Sequence, residues 1–284
     1  MLGLERSSTA ASRAHRTVVI TGAGSGIGAA AAKEAIGRGH RVAVCDIDLA
    51  AADALCAELG PDALAVHLDV RSVEDWTGAW DAVRDRFGAI DVLVNNAGII
   101  HTGFARDLSL DQHRDMMDVN YFGVLNGVMT ALPLMREQAH GHIVNVCSMT
   151  SFLPLTGYST YGATKHAIRA FHHALVMEER DSPIRFSIIH PPSVQTPMLE
   201  QEMADPSAVL AFAEKATAPE VIGRSINDAI DTSPLEVVFP PLGGRLQRLA
   251  GSNARLMHLV IPQVERFSAA RKRRRRRSGS EGPA

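Results

Sequence analysis

The chain has 284 residues, 46% hydrophobic and 21% charged, a globular mix that excludes collagen-like, wholly disordered and disulfide-scaffold classes. Cys45, Cys56 and Cys147 are widely spaced and odd in number, which suits a reducing interior and neither a disulfide framework nor a zinc site. The net charge of −2 joins an acidic body to seven consecutive basic residues, Arg271 to Arg277, so nucleic acid is not an expected partner of the body.

Residues 1–15 form an N-terminal extension without the apolar run of a secretory signal. From Arg16 to about Phe239, β-type and helical-period segments alternate. Strands are predicted at Thr17–Thr21, Arg41–Asp46, Ala63–Asp69, Asp91–Asn95, His142–Ser148, Ile184–His190 and Glu236–Phe239. Most are Val/Ile/Leu runs with little alternation, the pattern of strands buried on both faces of a parallel sheet. Helices are predicted at Ile27–Arg38, Leu49–Leu59, Val73–Phe87, Leu110–Gln138, Tyr161–Arg180 and Pro219–Asp231. Gly39, Gly60, Gly88 and Gly141 are read as left-handed helix ends. The alternation predicts one α/β domain over 16–242, a doubly wound parallel sheet of about seven strands with helices on both faces. No segment of about 20 residues is apolar throughout: Met116 to Met135 contains Asp118, Asn120 and Asn126. A cytoplasmic setting is expected.

Residues 197–218 read as a lid, with an apolar patch at Val209–Ala213. Residues 243–270 read as a basic, partly amphipathic helical extension interrupted by Pro262, with sealing of a pocket or an oligomer contact as its expected use. Residues 271–284 are expected to be disordered from composition; nucleic-acid or membrane contact by this tail is a minor alternative.

The first strand runs through Thr21-Gly22-Ala23-Gly24-Ser25-Gly26-Ile27-Gly28 directly into a helix. Glycines there permit a sharp turn and close approach to a pyrophosphate, which the helix N-terminus favours. Asp46, at the end of the second strand, is spaced to bond ribose hydroxyls and to repel the additional phosphate of NADP. Neither Ser25 nor Ile47 is basic, and the nearest cations, Arg38 and Arg41, lie beyond the helix–strand turn. NAD is therefore favoured over NADP.

Tyr161 and Lys165 stand one helical turn apart on one face. Free tyrosine, with a pKa near 10, is a poor base at neutral pH, and a neighbouring ammonium, joined by the positive nicotinamide of an oxidised cofactor, would lower that value. Ser148 lies at the carboxyl end of a predicted strand, where open α/β sheets place ligands. Met149, Phe152, Leu153, Leu155 and Tyr158, with the 209–212 patch, are candidates for an apolar substrate wall. His101 is a weaker candidate for substrate contact. The twelve histidines form no metal-ligand pattern, and no metal is expected.

These motifs, in this order from about Arg16 to Met198, resemble the short-chain dehydrogenase/reductase family in its compact single-domain branch. The resemblance adds Asp69 after the third strand, Asn95-Asn96-Ala97-Gly98 after the fourth, and Asn120 in a long helix. It implies NAD(P)-linked hydride transfer with Tyr161 as acid/base, Ser148 orienting the substrate oxygen, Lys165 bonding the nicotinamide ribose, and Asn120 holding a water to Lys165. It also implies that Asp69 and Val70 border adenine, that Asn96, Ala97 and Gly98 line the cofactor channel, and that Pro191, Val194 and Thr196 carry the carboxamide. Pro192 stands where the family usually has Gly, which removes an N–H from that loop. The expected activity is oxidation of a hydrophobic secondary alcohol or reduction of its ketone. The alternatives are an NADP-dependent carbonyl reductase and a catalytically silent binding module. A homodimer or homotetramer through the Leu110–Gln138 and Tyr161–Arg180 helices is the expected assembly.

Overall fold

Strands β1 (Thr17–Thr21), β2 (Arg41–Asp46) and β5 (Gly141–Val146) carry apolar side chains at successive positions, so neither of their faces can be left to water. In the computed structural model, which describes residues 15–239, 248, 251 and 253–279, they meet that demand with β3 (Ala63–His67), β4 (Val92–Asn95), β6 (Ile184–His190) and β7 (Glu236–Val238). The sheet is parallel, in the order β3-β2-β1-β4-β5-β6-β7. Alternate residues then serve opposite cores. Val18, Ile20, Val44, Val94 and Val144 pack with α1 (Gly26–Gly37), α2 (Leu49–Leu59) and α8 (Pro219–Thr232). Val19, Ala43, Leu93 and Ile143 pack with α3 (Val73–Phe87), α5 (Gly123–Glu137) and α6 (Ser159–Glu178).

The strand order reverses beside β1, between β2 and β4, which opens a crevice at the carboxyl ends of β1, β4, β5 and β6. Every candidate motif after the first strand ends at or next to this rim.

Three local expectations are corrected. The predicted helix over Leu110–Gln138 is α4 (Leu110–Met117), a π-helical turn (Asp118–Phe122) and α5. The wider turn places Asn120 in the interior, fully buried, as such insertions commonly do at functional positions. Gly141 does not end a helix. Ala139 takes the left-handed position with φ 57°, whereas Gly141 is required by packing, since a Cβ there would lie 2.4 Å from Met135 Sδ. Thirdly, no boundary falls at Arg271: α9 (Ala254–Gly279) runs on from the expected helical extension into the basic run. The physical reason lies at its start. The Lys272 ammonium is buried and donates to the carbonyls of Glu202 and Ala208 at 2.7 and 2.9 Å, and to that of Asp205, while Arg271 donates to the Ala213 carbonyl at 2.7 Å. Residues 1–14, most of 240–252 and 280–284, to which parts of the expected N-terminal extension, helical extension and tail belong, lie outside the described residues.

Candidate active site

The turn between β1 and α1 is built around close backbone approach. Gly22 has φ +61°, and a Cβ on it would sit 2.8 Å from Ala97 Cα. A Cβ on Gly28 would sit 2.3 Å from the Gly22 carbonyl oxygen and 2.7 Å from Asn96 Nδ2. Gly26 lies against the Thr196 methyl, so the glycine turn and the loop after β6 meet. Ser25 precedes α1 without a side-chain cap, and the helix has no acidic residue in its first turn. Its N–H groups and positive dipole end are thus unopposed, as an anionic pyrophosphate requires.

Asn96 and Ala97 hold that turn from the β4 side. Asn96 Nδ2 donates to the carbonyls of Thr21 and Gly22 at 2.8 and 3.1 Å, and the amides of Asn96 and Ala97 both donate to Thr21 Oγ1 at 3.0 Å. Asp46 closes the far end: its carboxylate accepts from Gly24 N at 2.8 Å and Asp48 N at 3.0 Å. Arg38 is committed elsewhere, to Glu34, Asp228 and Asp231 at 2.7–2.9 Å, and Arg41 stacks on Phe87. Asp69 is held by Arg71, whose guanidinium hydrogen bonds keep the carboxyl below its ordinary pKa. The Val70 side chain packs on Gly123, and its carbonyl accepts from Trp76 and Asn126.

Ser148 follows β5 in an extended conformation and caps a short turn, with its Oγ accepting from Thr150 N at 3.1 Å. Its hydroxyl lies beside Tyr161, in the first turn of α6, and both line one cavity. Lys165, buried one turn on, reaches the Val146 carbonyl at 3.4 Å. Asn120 spans the crevice: its Nδ2 donates to the Ile99 carbonyl at 3.0 Å and Thr164 Oγ1 at 3.3 Å, and its Oδ1 accepts from Ile99 N at 2.8 Å. A Cβ on Gly98 would meet Asn120 Oδ1 at 3.2 Å and Lys165 Nζ at 3.7 Å, so these three positions converge.

Burial raises the Tyr161 pKa above the ordinary phenol range, the Glu202 carboxylate and Cys147 add to the rise, and Ser148 alone opposes it. Lys165 stands over the Tyr161 ring, 5.6 Å from its centroid, and burial lowers its own pKa. The reason is desolvation, which disfavours phenolate and ammonium alike. The phenol of this structure is therefore the proton-bearing form.

Ser148 and Tyr161 open onto a cavity of about 430 Å³. Met149, Leu153, Leu155 and Tyr158 line it as expected, as do Ile27, Pro191, Pro192, Val194 and Thr196 from the cofactor side. Phe152 is not a wall; it packs on the His190 ring instead. Of the 209–212 patch, Leu210 and Ala211 reach the cavity. His101 is turned to Asp115 at 3.1 Å and does not line it.

Met257, Val260, Ile261 and Val264 of α9 line the cavity together with α7 (Pro197–Ala204). Sequence reasoning missed two contributions. Glu202, on α7, projects into this apolar wall and is pushed up to about 7 by burial. His190 and Glu236, ending β6 and starting β7, meet beneath Ser148, a juxtaposition that no local motif signals.

The family model for short chain dehydrogenase matches residues 16–207. The 3-beta-hydroxysteroid dehydrogenase of Comamonas testosteroni is 34% identical over 221 residues, 74% of this chain and 87% of that protein. A short chain dehydrogenase/reductase from Burkholderia phymatum, solved in complex with NAD, matches with a TM-score of 0.79 at 26% identity, over 85% of this chain and 95% of that one. The 3-ketoacyl-(acyl-carrier-protein) reductase from Brucella melitensis, complexed with NADH, matches with a TM-score of 0.74 at 27% identity, over 80% and 98%. Among the described residues no helix is long and apolar enough to cross a membrane. Sequence likeness over most of the chain and a shared sheet topology agree: this chain belongs to the short-chain dehydrogenase/reductase family and is an oxidoreductase of that type.

Proposed function

We propose that the chain interconverts a hydrophobic secondary alcohol and its ketone, with NAD(H) as cofactor. The observation that carries this reading is the placing of Ser148 and Tyr161 together in the lining of an apolar cavity, beside a glycine cradle that a Cβ would fill. When bound there, a nicotinamide supplies or accepts hydride.

Gly22, Ser25, Gly26, Ile27 and Gly28 would hold its pyrophosphate side, Asp46 the adenosine ribose, and Asp69 and Val70 the adenine. Asn96, Ala97 and Gly98 would flank the channel, and Pro191, Val194 and Thr196 the nicotinamide end. Lys165 would bond the second ribose. Ser148 Oγ orients the substrate oxygen toward Tyr161 Oη. In reduction, Tyr161 gives its proton to the oxygen as the carbinol forms; in oxidation it receives the hydroxyl proton. Burial favours the protonated phenol, so the resting side chain is set for reduction, and phenolate requires added positive charge near Lys165. Asn120 fixes the Ile99 backbone and the Thr164 hydroxyl near that ammonium.

Sterol-like and cyclic alcohols are suitable probes, because the walls are aliphatic and the relative above acts on a hydroxysteroid by name. A panel of cyclic alcohols and ketones, followed by absorbance of reduced nicotinamide with both cofactors, tests the proposal. Turnover with apolar members, faster with NAD than with NADP, is expected; absence of turnover across the panel overturns it.

Asp46→Asn probes the cofactor preference. The amide can keep one of the two backbone hydrogen bonds as acceptor while removing the charge. The NAD-to-NADP ratio of kcat/KM is expected to fall by at least about tenfold, equivalent to about 1.4 kcal/mol. An unchanged ratio removes Asp46 from cofactor choice.

We also propose a homo-oligomer. Leu110, Phe122, Met129 and Met177 are large, exposed apolar side chains on α4, the π turn, α5 and α6, the elements through which the contact would form.

A further inference from the structure

His190 is fully buried at the end of β6, directly before the Pro191–Thr196 loop. Its Nδ1 lies 2.8 Å from Ser151 Oγ and 3.2 Å from the Ser148 carbonyl oxygen. The Ser151 hydroxyl already donates to that same carbonyl at 2.7 Å, so its proton is spent and Nδ1 must be the donor in their contact. On the other side of the ring, Nε2 lies 3.0 Å from Glu236 Oε1, an ion-pair distance without an aligned hydrogen bond. A carboxylate this close favours the charged ring.

Glu236 is itself shared with Arg248 at 2.9 Å and Arg169 at 3.6 Å, and both arginines stack on Phe152, whose ring packs on His190 at 4.4 Å. The backbone closes the same joint: Met149 N donates to the Pro191 carbonyl at 3.0 Å, and Cys147 N to that of Ile189 at 2.8 Å.

We propose that His190 is a positioning residue: an imidazolium clamped between the Ser148–Ser151 turn and Glu236 that fixes where the Ser148 hydroxyl points. It acts through Ser148 and so rests on the reading of that residue as the group orienting the substrate. It also ties the serine turn to the loop after β6 and, through Glu236, to Arg248 in the C-terminal segment. The groups facing the ring are Cys147 from the end of β5, Glu236 from β7, His172, His173 and Arg169 from α6, and Arg248. Burial opposes its charge, but the adjacent Cys147 sulfur and Glu236 carboxylate outweigh burial and raise its pKa.

The test compares His190→Asn, whose amide nitrogen replaces the Nδ1 donor, with His190→Gln, which replaces Nε2, and His190→Leu, which replaces neither. Relative to wild type, Asn is expected to keep kcat/KM for a cyclic alcohol within about threefold, while Gln and Leu lose about 10–100-fold through a raised KM and a lowered kcat. NADH affinity should be equal in all four proteins. Loss confined to the active fraction, with KM unchanged, or retention by Gln rather than Asn, overturns the proposal. Nitrogen-15 NMR of the wild-type holoenzyme gives a readout independent of turnover. Two protonated ring nitrogens at neutral pH, reduced to one in Glu236→Gln, are expected, and a neutral ring in wild type refutes the clamp. Failure of the alcohol panel would instead strike the proposed function and leave this spectrum interpretable.

Discussion

Replacing Tyr161 by phenylalanine is expected to lower turnover by about 10²-fold or more, the scale of a lost general acid/base. The substitution removes one oxygen and keeps the ring that packs edge-on against Tyr158, 6.4 Å between centroids. NADH affinity and melting temperature should consequently stay close to wild type. Steady-state kinetics in both directions, alongside a cofactor titration, separate the outcomes. Equal turnover in the two proteins would deny the phenol any part in proton transfer. Loss of cofactor binding would mean that the hydroxyl serves to hold the nucleotide rather than to transfer a proton. The raised pKa also has a directional consequence: the proton stays on Tyr161 through neutral pH, so ketone reduction should not decline there through ionisation of this group.

The second large effect concerns stability. Glu202 rises from 4.5 to about 7 because burial in the aliphatic wall penalises its carboxylate, an effect that Tyr158 and Lys272 only partly offset. An acid with a higher pKa in the folded state binds its proton more tightly there, so its contribution is most favourable below about 4.5 and is lost as pH rises through about 7. Glu202→Gln keeps the shape without the charge. At pH 8 it should stabilise the fold by about 3 kcal/mol, from about 1.36 kcal/mol per pKa unit, while at pH 4 it should be nearly neutral. Urea denaturation at the two pH values measures the difference. Equal effects at both would show that the carboxylate is solvated in the folded protein.

Sheet architecture was legible because it is written locally. Val18 and Val19 point to opposite cores, so an uninterrupted apolar run carries the demand for two helical layers in its own composition. The glycine turn, Ser148, Tyr161 and Lys165 were legible for a related reason: each lies at a strand end or helix start, and the sheet brings such ends to one rim. What stayed hidden depends on contacts distant in sequence. The π-helical turn at Asn120 leaves the apolar spacing of its helix intact. Gly141 looks like a helix end until Met135 is seen against it. The sign of the Tyr161 shift is decided by desolvation and by Glu202, 41 positions away, and not by the neighbouring lysine. His190 and Glu236 meet only because β6 and β7 are paired.

Lys272 alters the meaning of the C-terminal arginines. Its ammonium gathers three carbonyls at the end of α7 and just beyond it, and Arg271 grips the Ala213 carbonyl beside them. A chain trimmed at Ala270 to rid the protein of its arginines would lose both fasteners. Such a cut, aimed at charge, would slacken the aliphatic cover over the reaction chamber, and a change in substrate range would follow from a deletion that touches no cavity residue.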